Sequence, residues 1–206
     1  MNFNIKRHTR QLLLAMGAFG IVLAASSPAL STAPSYLQAA RDIRFKPTHT
    51  PPESKQEQAT TDDFDSYKSE QFTVLYPKTW QATPEGSNSV AISSPTVGAS
   101  EPIRTEIKLL REDPNTVVPQ TLDQLSAEGA SIQRYSLVSV DNQSGFRIWY
   151  NAETDQQSLM TFVGYGDQQT AILTSHYNAN DPNTEAIVTA LHNSFTNHSV
   201  AQAITP

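Results

Sequence analysis

Four histidines stand outside the first ten residues: His49, His176, His192 and His198. Imidazole is the side chain that changes charge near neutral pH, so these are the first candidates for proton transfer or metal ligation. Their spacing gives little support to either. His192 and His198 are six residues apart around a predicted helix end, which does not put them on one helical face. His49 lies in a proline- and glutamine-rich stretch, and His176 falls near the end of a strand pattern, where it faces surface or core. No serine sits in Gly-x-Ser-x-Gly or Ser-x-x-Lys, the local frames of activated nucleophiles. A triad assembled from distant parts of a chain has no spacing signature. A pocket gathering His176 with a serine and a carboxylate would reveal one. Asp62, Asp63 and Asp65 offer hard oxygen ligands, but no Asp-x-Asp-x-Asp-Gly loop ending in a bidentate glutamate accompanies them. They read as a solvated run. Gly164-Tyr165-Gly166 leads into a hairpin rather than a helix, so it reads as a turn and not a phosphate cradle. Trp80, Trp149 and Tyr76 read as core aromatics or as partner-facing ones. Asn142-Gln143-Ser144 and Asn197-His198-Ser199 have the glycosylation pattern. No catalytic, cofactor-binding or metal-binding residue is therefore assigned.

Composition narrows the classes further. The 206 residues hold 14 Lys and Arg against 20 Asp and Glu, a net charge of −6. There is no basic excess to neutralise phosphates, which disfavours nucleic-acid binding. Zero cysteines exclude disulfides, thiolate metal sites, a cysteine nucleophile and an N-terminal lipid-bearing cysteine.

The N-terminus reads as an export address. Lys6, Arg7 and Arg10 precede the 14 apolar or small residues Leu12–Ala25, with Ala29-Leu30-Ser31 as the cleavage match. A positive flank and an apolar run too short to span a bilayer comfortably describe a signal peptide over 1–31, the alternative being an uncleaved anchor. Loss of those three cations takes the charge from −6 to −9. Residues 32–65 hold Pro34, Pro47, Pro51 and Pro52 among Gln, Thr and Asp, a composition that does not bury enough apolar surface to offset chain entropy. They read as a linker in which Tyr36–Ala40 forms a helical turn, docks on a partner or is plain tether.

The elements that position the candidates lie in one domain over 66–198, with 199–206 as a tail. Phe72, Val74 and Tyr76 alternate with Thr73 and Leu75 up to Pro77, and Ser89–Ser93 is a short strand. Ile103, Thr105, Ile107 and Leu109 alternate with Arg104, Glu106 and Lys108, the pattern of a strand with one charged face. Thr121-Leu122-Asp123-Gln124 has the form of a capping box opening a short helix that Gly129 closes. Strands at about 131–140, 145–153, 158–165 and 169–177 follow, joined by turns too short for parallel crossovers. Apolar residues on both faces of 158–165 mark an interior strand. Asp181-Pro182 opens a last helix whose stripe is Ala186, Ile187, Ala190, Leu191 and Phe195. The expected fold is α+β, an antiparallel sheet sandwiched by helices.

Phe72-Thr73-Val74-Leu75-Tyr76-Pro77-Lys78-Thr79-Trp80, entered through Tyr67, resembles the opening of PsbP-family proteins, the extrinsic subunits of photosystem II and their relatives. Gly145-Phe146-Arg147-Ile148-Trp149-Tyr150 is similar to the family's strand with paired aromatics, and Asn193-Ser194-Phe195 to its end. The resemblance covers about 66–197 and is one of element order more than residue identity. It implies an antiparallel sheet between helices and an exported, non-enzymatic accessory protein in the thylakoid lumen or periplasm. It further implies a partner complex at a membrane surface, with photosystem II assembly or ion retention at the oxygen-evolving centre as the task. Calcium is implied by the family alone, and no ion ligand transfers residue by residue. The alternatives are an envelope protein of the same fold with no photosynthetic role, and a hydrolase.

Overall fold

The computed structural model describes residues 63–96, 102–151, 156–166, 168–178 and 182–198. The predicted signal peptide, residues 32–62 with His49 and Asp62, the capping Asp181 and the tail 199–206 lie outside the described residues.

Ten strands and two helices are described. The strands are β1 (Phe64–Lys68), β2 (Phe72–Pro77), β3 (Gln81–Pro84), β4 (Ser89–Ser93), β5 (Arg104–Leu110), β6 (Ser131–Val140), β7 (Gln143–Asn151), β8 (Gln156–Tyr165), β9 (Gln169–Asn178) and β10 (Thr196–Asn197). Helix α1 spans Pro114–Ala127 and helix α2 spans Pro182–Asn193. A seven-stranded sheet runs β3-β4-β5-β9-β8-β7-β6, and a three-stranded sheet runs β1-β2-β10. Every pairing is antiparallel.

The fold is α+β, with the large sheet covered on both faces. On one face Val117, Val118, Leu122 and Leu125 of α1 pack on Phe146, Ile148, Met160 and Phe162. On the other, Leu191 and Phe195 join Val90, Ile107, Val163 and Leu173 of the large sheet and Phe72 and Val74 of the small one. Because side chains alternate along a strand, β8 must be apolar in both directions to serve both layers. Leu159, Phe162 and Val163 are each fully buried, as the pattern at 158–165 predicts.

Several local expectations are corrected. Strand β1 begins at Phe64, so Phe64 and Asp65 belong to the domain and not to the linker ending at 65. Thr121 does not cap α1. The helix begins about two turns earlier, where the Asp113 side chain accepts from the Asn115 N–H at 2.8 Å and Pro114 takes the first position. Thr121 sits within the helix, where its hydroxyl donates back to the Val117 carbonyl at 2.9 Å. Gly129 does close α1: at φ +81° it allows Ala130 N–H to reach the Leu125 carbonyl at 2.9 Å and its own N–H to reach Ser126 at 3.1 Å. The β6–β7 turn is only Asp141-Asn142, both at positive φ, so β7 starts at Gln143 rather than 145.

The stripe of α2 is shifted from the predicted one. Thr184, Val188, Leu191 and His192 are buried, with Phe195 just past the helix end, whereas Ala186 is exposed. The true stripe contains two polar residues, which an apolar count passes over.

Candidate functional site

The α2 face of the large sheet holds a buried polar chain. Side chains at alternate positions of β5, β7, β8 and β9 point to this face, bringing Thr105, Arg147, Thr161 and Ser175 under His192. His192 Nδ1 lies 2.8 Å from Thr161 Oγ1 and its Nε2 2.9 Å from Ser175 Oγ, which is 2.6 Å from Thr105 Oγ1. Arg147 donates from Nε to Thr161 Oγ1 at 2.8 Å and from an Nη to Asn193 Oδ1 at 2.7 Å. Burial drives the His192 pKa well below the ordinary imidazole value, and the nearby Arg147 adds to the effect. The ring is therefore neutral, one nitrogen donating and the other accepting. Burial also lowers Arg147, to about 10, so it stays charged at neutral pH. Each ring nitrogen thus engages a neighbouring hydroxyl. Through His192 and Asn193 the cluster ties α2 to β7, β8 and β9.

His176 projects to the α1 face, where Arg104 and Ser158 flank it in register. Its Nδ1 is 2.8 Å from Ser158 Oγ, and its pKa is lowered by burial, an effect that Glu106 opposes and Arg104 reinforces. A histidine, a serine and a carboxylate therefore do come together. Their arrangement departs from a nucleophilic triad in two respects. Ser158 is fully buried, and Glu106 bonds to Arg104 and Lys108 at 3.1 Å each instead of orienting the imidazole. Arg104 also reaches Glu85 at 2.8 Å, giving a half-exposed ion network of small energetic weight.

His198 lies 2.7 Å from Thr73 Oγ1, where it helps seat β10 on β2. The three mature-domain histidines are thus brought to three separate places. Asp63 and Asp65 are exposed, and Asp65 accepts from the Ser66 N–H at 2.7 Å. Among the described residues no group of three His, Asp or Glu side chains converges in a way that would hold a metal ion. Gly166 sits at φ +68° in the β8–β9 turn, as a turn reading requires. Asn197 is buried and its amide donates to Gln169 Oε1 at 2.7 Å, so it is not presented as a glycan acceptor, whereas Asn142 is exposed.

The aromatics divide between core and rim. Trp149 is buried beside Leu159, Tyr177 and Val188, with Trp80 partly buried against them, and Tyr76 packs on the core below the small sheet. Over Trp149 lies the Arg134 guanidinium, 3.9 Å from the ring centroid. Arg134 pairs with Glu185, which also accepts from the Trp149 indole N–H at 3.1 Å. Among the described residues the exposed large apolar ones are instead Tyr135 and Leu137 of β6, at 42% and 70% exposure. Sequence reading missed both Arg147 and this pair. A lone arginine in an apolar strand and two apolar residues alternating with polar ones look ordinary until neighbouring elements are placed.

No protein-family model matches the chain, and no curated protein is significantly similar to it. Solved structures are similar at low identity. Cyanobacterial PsbP (CyanoP) from Synechocystis sp. PCC 6803 shares 10% identity over 71% of this chain and 98% of its own, with a TM-score of 0.48. LpqN of Mycobacterium tuberculosis, described as involved in cell envelope biogenesis, shares 13% over 77% and 94%, also at 0.48. PA94 of Pseudomonas aeruginosa, a protein of unknown function, shares 13% over 69% and 96%, at 0.43. The α+β assignment rests on the sheets and helices themselves, and membership of the PsbP family is not established by these likenesses.

Proposed function

We propose that this chain is an exported accessory protein that acts by binding another protein at a membrane surface, without turnover. The observation that supports this reading best is the use made of the acid–base side chains. Ser158, Ser175 and His192 are fully buried, and each histidine of the described domain is hydrogen-bonded to a hydroxyl on another element. These groups hold strands and helices together. The resemblance at Phe72–Trp80 makes photosystem II in the thylakoid lumen the first partner to test, with assembly or ion retention as the task. An envelope partner in a periplasm is the alternative, and it requires nothing different of the domain. Calcium enters this reading only through the resemblance.

The charge supplies a test. At −9 after cleavage the protein is repelled by anionic head groups, so membrane association calls for a protein partner or a bridging cation. Binding to a basic partner weakens as salt screens the pair. Native membranes washed with rising salt are expected to release the protein, and low-salt extracts to carry it with photosystem II. Co-purification with a different envelope complex would select the alternative. Retention through high salt would contradict the electrostatic account.

The hydrogen bond between Ser158 and His176 favours one competing reading, hydrolysis. It predicts ester or peptide cleavage that disappears in both Ser158→Ala and His176→Ala. We expect no such activity, because Ser158 Oγ is not accessible to a substrate.

A further inference from the structure

The edges of the two sheets are treated unequally. An open edge presents unpaired N–H and C=O groups, and proteins blunt such edges with short strands, charges or proline. Strand β3, at one end of the large sheet, has four residues and ends in Pro84. In the small sheet β10 has two residues, and β1 carries Asp65 and Lys68. Strand β6, at the other end of the large sheet, has ten residues, no proline and one charge, Arg134. That charge is turned to Glu185 and Trp149 on the α2 face. A register shift between Ile132 and Arg134 leaves Arg134–Val140 regular, and Tyr135 and Leu137 stand exposed on its α1 face.

We propose that β6 is a strand-addition site, and that its occupant is an extended segment of another protein with apolar residues at positions i and i+2 flanked by Lys or Arg. Main-chain hydrogen bonds would supply affinity, and the apolar pair would meet Tyr135 and Leu137. Charge decides the occupant. Helix α1, on the same face, exposes Asp123 and carries no Lys or Arg, and Glu128 follows at its end. A second copy would bring −9 against −9, whereas a basic strand is attracted. The inference rests on the accessory-protein reading and specifies where that binding occurs.

The test uses the mature protein and native membranes stripped by salt. Wild type is expected to rebind, and Leu137→Lys to rebind roughly tenfold more weakly, as loss of a central apolar contact does. Thr83→Lys on the β3 edge should bind like wild type. Leu137 is mostly exposed, so its urea midpoint should not move and misfolding is excluded. Amide hydrogens of Arg134–Val140 should exchange more slowly in the bound state than in the free one. Equal rebinding of wild type and Leu137→Lys, with unchanged exchange in β6, would overturn the edge assignment and leave the accessory reading standing. Failure of wild type to rebind at all would overturn both. Sedimentation showing a wild-type dimer that Leu137→Lys abolishes would overturn the proposed occupant in favour of a second copy.

Discussion

Phe195→Ala is expected to lower the unfolding free energy by ~3–5 kcal/mol, the range for truncating a buried phenylalanine. Phe195 is 1% exposed and lies where both sheets and α2 meet. Its ring is 5.4 Å from Phe72 of the small sheet and 6.4 Å from Tyr165 of the large one, both in tilted contact. Removing the ring leaves a void that three elements must close together, and rigid strands relax little. A domain of this size has ~5–15 kcal/mol in total, so the variant is expected to be marginal. Phe195→Leu keeps most of the volume and should cost less than ~1.5 kcal/mol. Urea titration of both variants checks the pair, and equal midpoints for Phe195→Ala and wild type would show that the junction is not packed as described.

The second large effect is a loss of stability on acidification. His192 is completely buried, and its pKa in the folded state lies well below the ordinary imidazole value. In the unfolded chain it titrates near ~6.5. Above that pH neither state holds the proton. Below it the unfolded chain binds a proton that the folded protein refuses, so stability falls as pH falls. The slope is ~1.4 kcal/mol per pH unit for one such histidine, and it continues down to the folded-state pKa. His176 shifts in the same direction and adds to the loss. Measured between pH 7.5 and 5, the urea midpoint of wild type should drop steadily. His192→Gln, which keeps a donor and an acceptor, should start lower but drop less steeply, by about one proton's worth. Parallel pH profiles for the two proteins would contradict a neutral buried His192.

Much of the sheet is legible in the sequence because its patterns are two-sided. Arg104, Glu106 and Lys108 against Thr105, Ile107 and Leu109 identify β5 as a strand with one wet face, and it is one. Apolar residues in both directions identify β8 as interior, since two layers need them. Short turns identify the antiparallel run from β6 to β9. Strands too short to repeat an apolar alternation escape: β3, Gln-Ala-Thr-Pro, has four residues and β10 has two. The opening of α1 was misplaced because Thr121 carries a capping pattern that the helix uses internally, while Asp113-Pro114 gives the same signal as Asp181-Pro182 farther along. The candidate sites were the least legible. That His192 is buried depends on Thr161 and Ser175 arriving from two strands to satisfy it, and no spacing along one chain encodes that meeting. The exposure of Leu137 depends likewise on β6 being the last strand of its sheet.

The claim that the domain acts by engaging a protein partner is tested most directly by rebinding the purified mature protein to its own stripped membranes. Bound protein is measured against concentration at low salt on intact membranes, on trypsin-treated membranes and on protein-free vesicles containing anionic lipid. The account predicts saturable binding to intact membranes that trypsin pretreatment removes and that the vesicles do not reproduce. Equal binding to all three surfaces, or no binding to any, would contradict it.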